Sequence, residues 1–299
     1  CIGPVIGGFV TQDVGWRWTF WIVLIMASVV SITALIFMRE TYEPVLRKRM
    51  VTAKGDSQES KNTPDQEVNV LRPGQLLFRA FVRPTKLLIF SPIVLLLSLY
   101  SAFVFGLIYL LFTTFPLVFE KTYGFGPGIS GLSYLGLGLG MVVGIVLFSK
   151  LSDKLMNRTG GGSERRPELR LLLMIWAAPV IPIGCFWYGW SAHAVTHWIV
   201  PILGTFFIGL GAFLLMMPAQ IYLVDSFGSD AAASALAANT VLRSLAGTFL
   251  PFAGDPLYSK LGLGWGNSLL GFLAIAFAPV PIFFYKYGER LRTKFKVDY

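Results

Sequence analysis

The sequence predicts an all-α polytopic membrane protein, and three observations carry that prediction. Of its 299 residues, 55% are hydrophobic and 14% charged, against about 25% charged in an ordinary soluble domain. Apolar stretches of roughly 20 residues, enough to cross about 30 Å of hydrocarbon, recur seven times. The basic residues crowd into alternate connections between those stretches. Such a composition, with a mean hydropathy of +0.65, excludes a disordered chain, a secreted disulfide scaffold and an ordinary soluble enzyme. Cys1 and Cys185 leave no disulfide framework, and His193 and His197 are too few for a histidine metal site. Neither a metal nor a cofactor is expected.

In chain order the spans run at about 18–38, 91–113, 129–149, 171–190, 198–222, 232–253 and 265–285, with 1–10 reading as the end of an eighth. The segments 39–90, 150–170 and 286–299 hold 21 of the 25 lysines and arginines. Arg17, Lys121 and Lys260 lie on the other side, and Arg243 lies inside a span. By the positive-inside rule the basic segments face the cytoplasm. The basic balance therefore reports orientation in a lipid bilayer, and no nucleic-acid partner is needed to explain it. Residues 1–10 then finish an outward crossing, 11–17 turn outside, and the tail ends in the cytoplasm. With neither an initiator Met nor a signal-peptide pattern, the chain reads as a fragment, or a mis-called gene model, lacking an N-terminal part.

Between the first two full spans, 39–90 is a cytoplasmic linker. Its core, 51–70, is polar and carries Pro64, the composition of a flexible segment. Residues 75–83 mix Leu76, Leu77, Phe78 and Phe81 with Arg79 and Arg83, which predicts a basic amphipathic helix on the inner leaflet. A long linker followed by six spans (91–285) and a tail (286–299) has the organisation of one half of a two-bundle transporter.

At this point particular motifs become informative. WRWTFW (16–21), RETYEPVLRKR (39–49), SPIVLLLSLYSAFVFGLIYLLFTTFP (91–116), ASALAANTVLRSLAGTFLPF (233–252) and YKYGERLR (285–292) occur in order. Together they resemble fungal members of the major facilitator superfamily, within the 12-spanner drug:proton antiporter family. Gly3, Pro4, Gly7 and Gly8 resemble the end of the antiporter signature in that family's fifth helix, although the upstream glycines of the signature are not present. The resemblance implies a major facilitator fold, truncated at the N-terminus, running from the end of helix 5 through helix 12. Residues 1–38 then belong to the N-terminal bundle. It implies a multi-pass efflux carrier that exchanges protons for a small organic compound, by alternating access and without enzymatic chemistry. The plasma membrane is the default location, with an organelle membrane as runner-up. Transport would require the N-terminal bundle, and without one the chain would be an inactive half-transporter or pseudogene product. A seven-span receptor would leave the long linker and the glycine interfaces unexplained.

Candidate site residues follow from polarity placed where hydrocarbon should be. Ala231, Ala235, Asn239, Arg243 and Gly247 lie four apart, on one helical face. Arg243 is about twelve residues, or roughly 18 Å, into its span. An arginine at that depth costs about 2.5–3.5 kcal/mol on insertion scales unless it faces a cavity or a partner. Asn239 and Arg243 are therefore expected to point into the substrate path, the alternative being a structural ion pair of Arg243 with Asp225. Tyr100, Phe105 and Tyr109 on the first span after the linker, with Met217 and Gln220 on the fourth, complete the expected pocket. Polarizable Met and amphipathic Tyr suit apolar ligands of several shapes. Any one Phe equally well meets lipid. Asp153, Lys154 and Arg158 resemble a degenerate copy of the family's cytoplasmic loop motif. With Asp225 they form a candidate gating charge cluster, against the plainer reading of positive-inside anchoring. Gly136, Gly140 and Gly144 make a small-residue stripe for close helix packing. No span holds an Asp, Glu or His at mid-depth, so a proton-coupling group is expected in the N-terminal half.

Overall fold

The computed structural model describes residues 2–38, 45–46, 73–159 and 167–294. Helices and turns make up these segments, with no strand among the described residues. Two helices precede the linker, α1 (Ile2–Asp13) and α2 (Trp16–Phe37). α3 (Pro73–Phe90) closes the linker, and α4 (Pro92–Tyr123) follows it. A helical turn, Pro127–Ser130, and a 3-10 turn, Gly131–Ser133, lead into α5 (Tyr134–Thr159). A second 3-10 turn, Pro167–Arg170, opens α6 (Leu171–Ala177), and α7 (Val180–His193) continues it. Then come α8 (Ile199–Phe249), a 3-10 turn at Leu250–Ala253, α9 (Gly254–Phe277) and α10 (Pro279–Lys294). The flexible core expected at 51–70 lies outside the described residues.

Local sequence explains the breaks. Ser91 leaves the helix with extended backbone and its hydroxyl accepts from the Val94 amide at 3.5 Å, while Pro92 supplies a first residue that needs no donor. Inside α8 the backbone flips at Gly228, with φ 63 and ψ −172, a conformation open to glycine and costly for side chains. That break divides α8 into limbs 199–227 and 229–249, which carry the expected spans 198–222 and 232–253. The helix α3 covers the predicted amphipathic segment and runs on past Pro84. At its end Leu87 is fully buried and joins the core.

Among the described residues, six helical stretches are long and apolar enough to cross a membrane, the last being the 58 residues Ala231–Gly288. At about 1.5 Å per residue that last stretch is near 87 Å long, too much for one crossing. The direction of packing shows that it reverses. Phe105 lies against Arg243 and Gly247, and Thr114 against Gly254, so α4 and the second limb of α8 run parallel. Phe186 meets Phe272 while Trp190 meets Trp265, so α7 and α9 are antiparallel. The Tyr134 hydroxyl donates to the Phe112 carbonyl at 2.6 Å, and Met141 sits beside Ile108, which makes α4 and α5 antiparallel. Gly136 faces Ile202 and Gly144 faces Phe213, a parallel pair, whereas Gly211 faces Ile181 and Gly204 faces Tyr188, an antiparallel one. Chained together, these contacts alternate up and down through α4, α5, α7, the two limbs of α8, and α9. Six crossings result, as the six spans from 91 to 285 require.

The core sits around α4, where Leu97, Tyr100, Leu107, Leu111, Phe115 and Phe119 are fully enclosed. By contrast α2 has no buried residue among those described. Its neighbour α1 docks antiparallel on the entry to α5. The Gln12 side chain accepts from the Gly128 amide at 2.9 Å, and the Pro4 carbonyl would stand 2.9 Å from a methyl group on Gly131.

Candidate functional site

The candidate site is a strip of surface where α4 and the second limb of α8 lie side by side. Arg243 holds its guanidinium 4.8 Å from the centre of the Phe105 ring. A cation over a ring face gains about 0.5–2 kcal/mol, less than an ion pair or bidentate hydrogen bond in a dry setting provides. Its Nε is buried without a hydrogen-bond partner, and one turn earlier the buried Asn239 Oδ1 is likewise unpaired. Phe105 in turn packs on Tyr109, with ring centroids 4.7 Å apart. Gly247 lets both rings lie close, since a methyl group there would come within 3.0 Å of the Phe105 ring.

Arg243 does not pair with Asp225, the alternative that the sequence left open. Asp225 is taken by Arg170, whose Nε donates to its Oδ2 at 2.6 Å. The reason is register: Asp225 ends the first limb of α8, whereas Arg243 stands well inside the second, across the Gly228 break.

The composition of the open faces sharpens the picture. On the second limb of α8, Thr240, Ser244 and Thr248 are exposed four apart, each followed by an exposed apolar residue (Val241, Leu245, Phe249), and Tyr109 and Thr113 are exposed on α4. The open faces of α7 and α9 instead present Ile183, Trp187, Leu269, Phe272 and Leu273. Apolar faces suit lipid, while hydroxyls and a guanidinium at mid-depth belong on a wet path or against another polar wall. Sequence reading missed Thr113, Thr240, Ser244 and Thr248, although the four-residue repeat of the last three was there to find.

A cavity of about 150 Å³ opens between α4, α5 and the first limb of α8, lined by Ile108, Met141, Ala212, Phe213, Met216, Met217 and Gln220. It borders the polar strip through α4, where Ile108 faces the cavity and the next residue, Tyr109, faces Gly247. Near the end of α4 a second cleft of about 240 Å³ is lined by Thr114, Lys121, Asp255 and Tyr258, among others.

Phe105, Tyr109, Asn239 and Arg243 are thus brought together, and Met217 and Gln220 share the neighbouring cavity. Tyr100 is placed elsewhere. Nine residues before Tyr109, at about 100° each, it points to the opposite side of α4, buried and stacked on Phe277 at 5.4 Å. Of the candidate gating residues, Lys154 is exposed at the end of α5 and Asp225 holds Arg170, while the side chains of Asp153 and Arg158 lie outside the described residues. Of the antiporter-like residues, Pro4 meets Gly131, whereas no described atom lies within 4 Å of a methyl group built on Gly3 or Gly7. Gly8 is half-buried on the same helix. Among the described residues no group of three or more His, Cys, Asp or Glu could hold a metal ion.

Comparison with known proteins fits this arrangement. Residues 1–251 match the Major Facilitator Superfamily. The chain is 65% identical over 292 residues to "MFS transporter prlG" of Fungal sp. (strain NRRL 50135), covering 97% of this chain and 62% of that protein. It is 58% identical over 295 residues to "MFS-type transporter phm3" of Pyrenochaetopsis sp, covering 97% and 60%. With "MFS-type transporter MFS19" of Alternaria alternata the identity is 55% over 287 residues, covering 96% and 59%. The chain therefore spans about three-fifths of the length of these curated relatives. Alternating helices, a polar strip at mid-depth and these matches lead to one assignment: the chain belongs to the major facilitator superfamily of multi-pass membrane transporters.

Proposed function

We propose that this chain serves proton-driven export of small amphipathic organic compounds by alternating access, at the plasma membrane. The observation that carries the reading is the strip of Arg243, Asn239, Tyr109 and exposed hydroxyls beside a methionine-lined cavity. Such a surface offers one compound both a polar anchor and a forgiving apolar berth. Export by antiport draws its support from the resemblance of Gly3, Pro4, Gly7 and Gly8 to the antiporter signature, on a helix that docks on the entry to α5 through Pro4 and Gln12. The coupling proton is assigned to the N-terminal bundle, because the acids with described side chains all sit near helix ends: Asp13, Glu120, Glu168, Asp225 and Asp255.

The test uses everted plasma-membrane vesicles from cells expressing the whole gene, incubated in a fungal organic extract and followed by mass spectrometry of their contents. An inside-acid gradient should drive at least tenfold accumulation of some compounds, and a protonophore should abolish it. Accumulation indifferent to the gradient would refute antiport, and accumulation of nothing would refute export.

A further inference from the structure

We propose that the carrier's substrate is an organic anion, an amphipathic acid whose charged head docks on Arg243 and whose apolar body lies toward the methionine cavity. This names the substrate class of the exporter reading above and rests on it. Three observations converge. Among the described residues Arg243 contacts a ring and no acceptor: its guanidinium lies over the Phe105 face, and its Nε is buried and unpaired. The one acid that sequence position offered it, Asp225, is engaged by Arg170. No carboxylate flanks it among the described residues: its neighbours are neutral, with Asn239 a turn away, whose orphan Oδ1 is an acceptor, and Thr240, Ser244 and Thr248 exposed alongside.

A planar guanidinium offers five donors in a fork that fits a carboxylate or a similar delocalised oxyanion. A lipophilic cation would meet repulsion at the same place. A wholly neutral ligand would leave the charge uncompensated in a low-dielectric path. Beside the strip, Ile108, Met141, Met216 and Met217 give the carbon skeleton a pliable wall. The charge balance follows. Export of one monoanion against one entering proton moves two positive charges inward, so the membrane potential assists transport along with the pH gradient.

The experiment uses the purified product of the whole gene in detergent and three probes sharing one dansyl-octyl body. One ends in a carboxylate, one in a sulfonate and one in the methyl ester of the first. Binding is read from dansyl emission. The wild type should bind both anions at least tenfold tighter than the ester. Arg243→Gln should lose that preference while holding the ester as before, and Arg243→Lys should retain a preference of several fold, since it keeps the charge and loses the fork. Equal binding of acid and ester by the wild type overturns the proposal, as does binding of none of the three. A preference that survives in a monodisperse Arg243→Gln protein overturns it too. If that variant does not fold, the comparison of sulfonate with ester on the wild type still decides. The exporter reading is judged separately by the vesicle assay, so either can fail without the other.

Discussion

Gly140 shows how much of this fold rests on single side chains being absent. A methyl group built there would meet the Phe206 carbonyl and stand 2.8 Å from the Leu210 amide nitrogen. Both are backbone atoms of a helix and cannot rotate away. At Gly264 the same methyl would touch the Trp190 ring at 3.3 Å, and a side chain can yield. Gly140→Ala is expected to cost about 1–3 kcal/mol by overpacking, and Gly264→Ala under about 1 kcal/mol, read as midpoint shifts in thermal unfolding of the detergent-solubilised protein. Equal shifts would mean that α5 and α8 slide freely. Residue roles were only partly legible before the structure. Tyr100 and Tyr109 look alike in sequence, each a phenol in an apolar span. Nine residues of helix separate them by half a rotation, so one stacks on Phe277 in the core and the other stands open beside Phe105.

Among the elements, the 3-10 turn Pro167–Arg170 and the first limb of α8 are joined by Arg170 and Asp225, at 2.6 Å. Both side chains are partly exposed, at 21% and 34%, so the pair adds only about 0–1 kcal/mol to stability. We propose that its value lies in restraining two helix ends, which would separate as the carrier opens inward. Asp225→Asn should leave the unfolding midpoint within a few degrees and raise the labelling rate of a cysteine introduced at Ser226 by several fold. Reversing the pair, with Arg170→Asp and Asp225→Arg together, should restore the wild-type rate. Failure of the reversal to restore it would show that Asp225 acts through something other than Arg170. The elements themselves were largely readable, because runs of about 20 apolar residues have few alternatives in water or lipid. What periodicity could not supply was pairing. Arg170 reads as one more basic residue of a cytoplasmic segment, and only the packing of α6 beside α8 brings it to Asp225.

For the whole molecule, charge bias and packing direction make the same demand by independent routes. Lysines and arginines gather in 39–90, 150–170 and 286–299, which puts those segments on one side. Contacts between helices alternate in direction through six crossings from α4 to α9, which returns the tail to the side where α4 began. Neither route uses the other's data: one counts charges between spans, the other follows ring and glycine contacts within them. Both place the turn at 194–197, between α7 and α8, on the opposite face. Epitope tags inserted at 51–70 and at the C-terminus of the whole gene product should therefore both be hidden in intact spheroplasts and stain after permeabilisation. A tag between Ala194 and His197 should stain without it. If the 51–70 and tail tags fall on different sides, the number of crossings after the linker is odd. One of the six contact-derived directions is then wrong, and the strip around Arg243 no longer spans the bundle at mid-depth. If the two agree but the 194–197 tag is hidden with them, the alternation fails inside the bundle, at α7 or the first limb of α8.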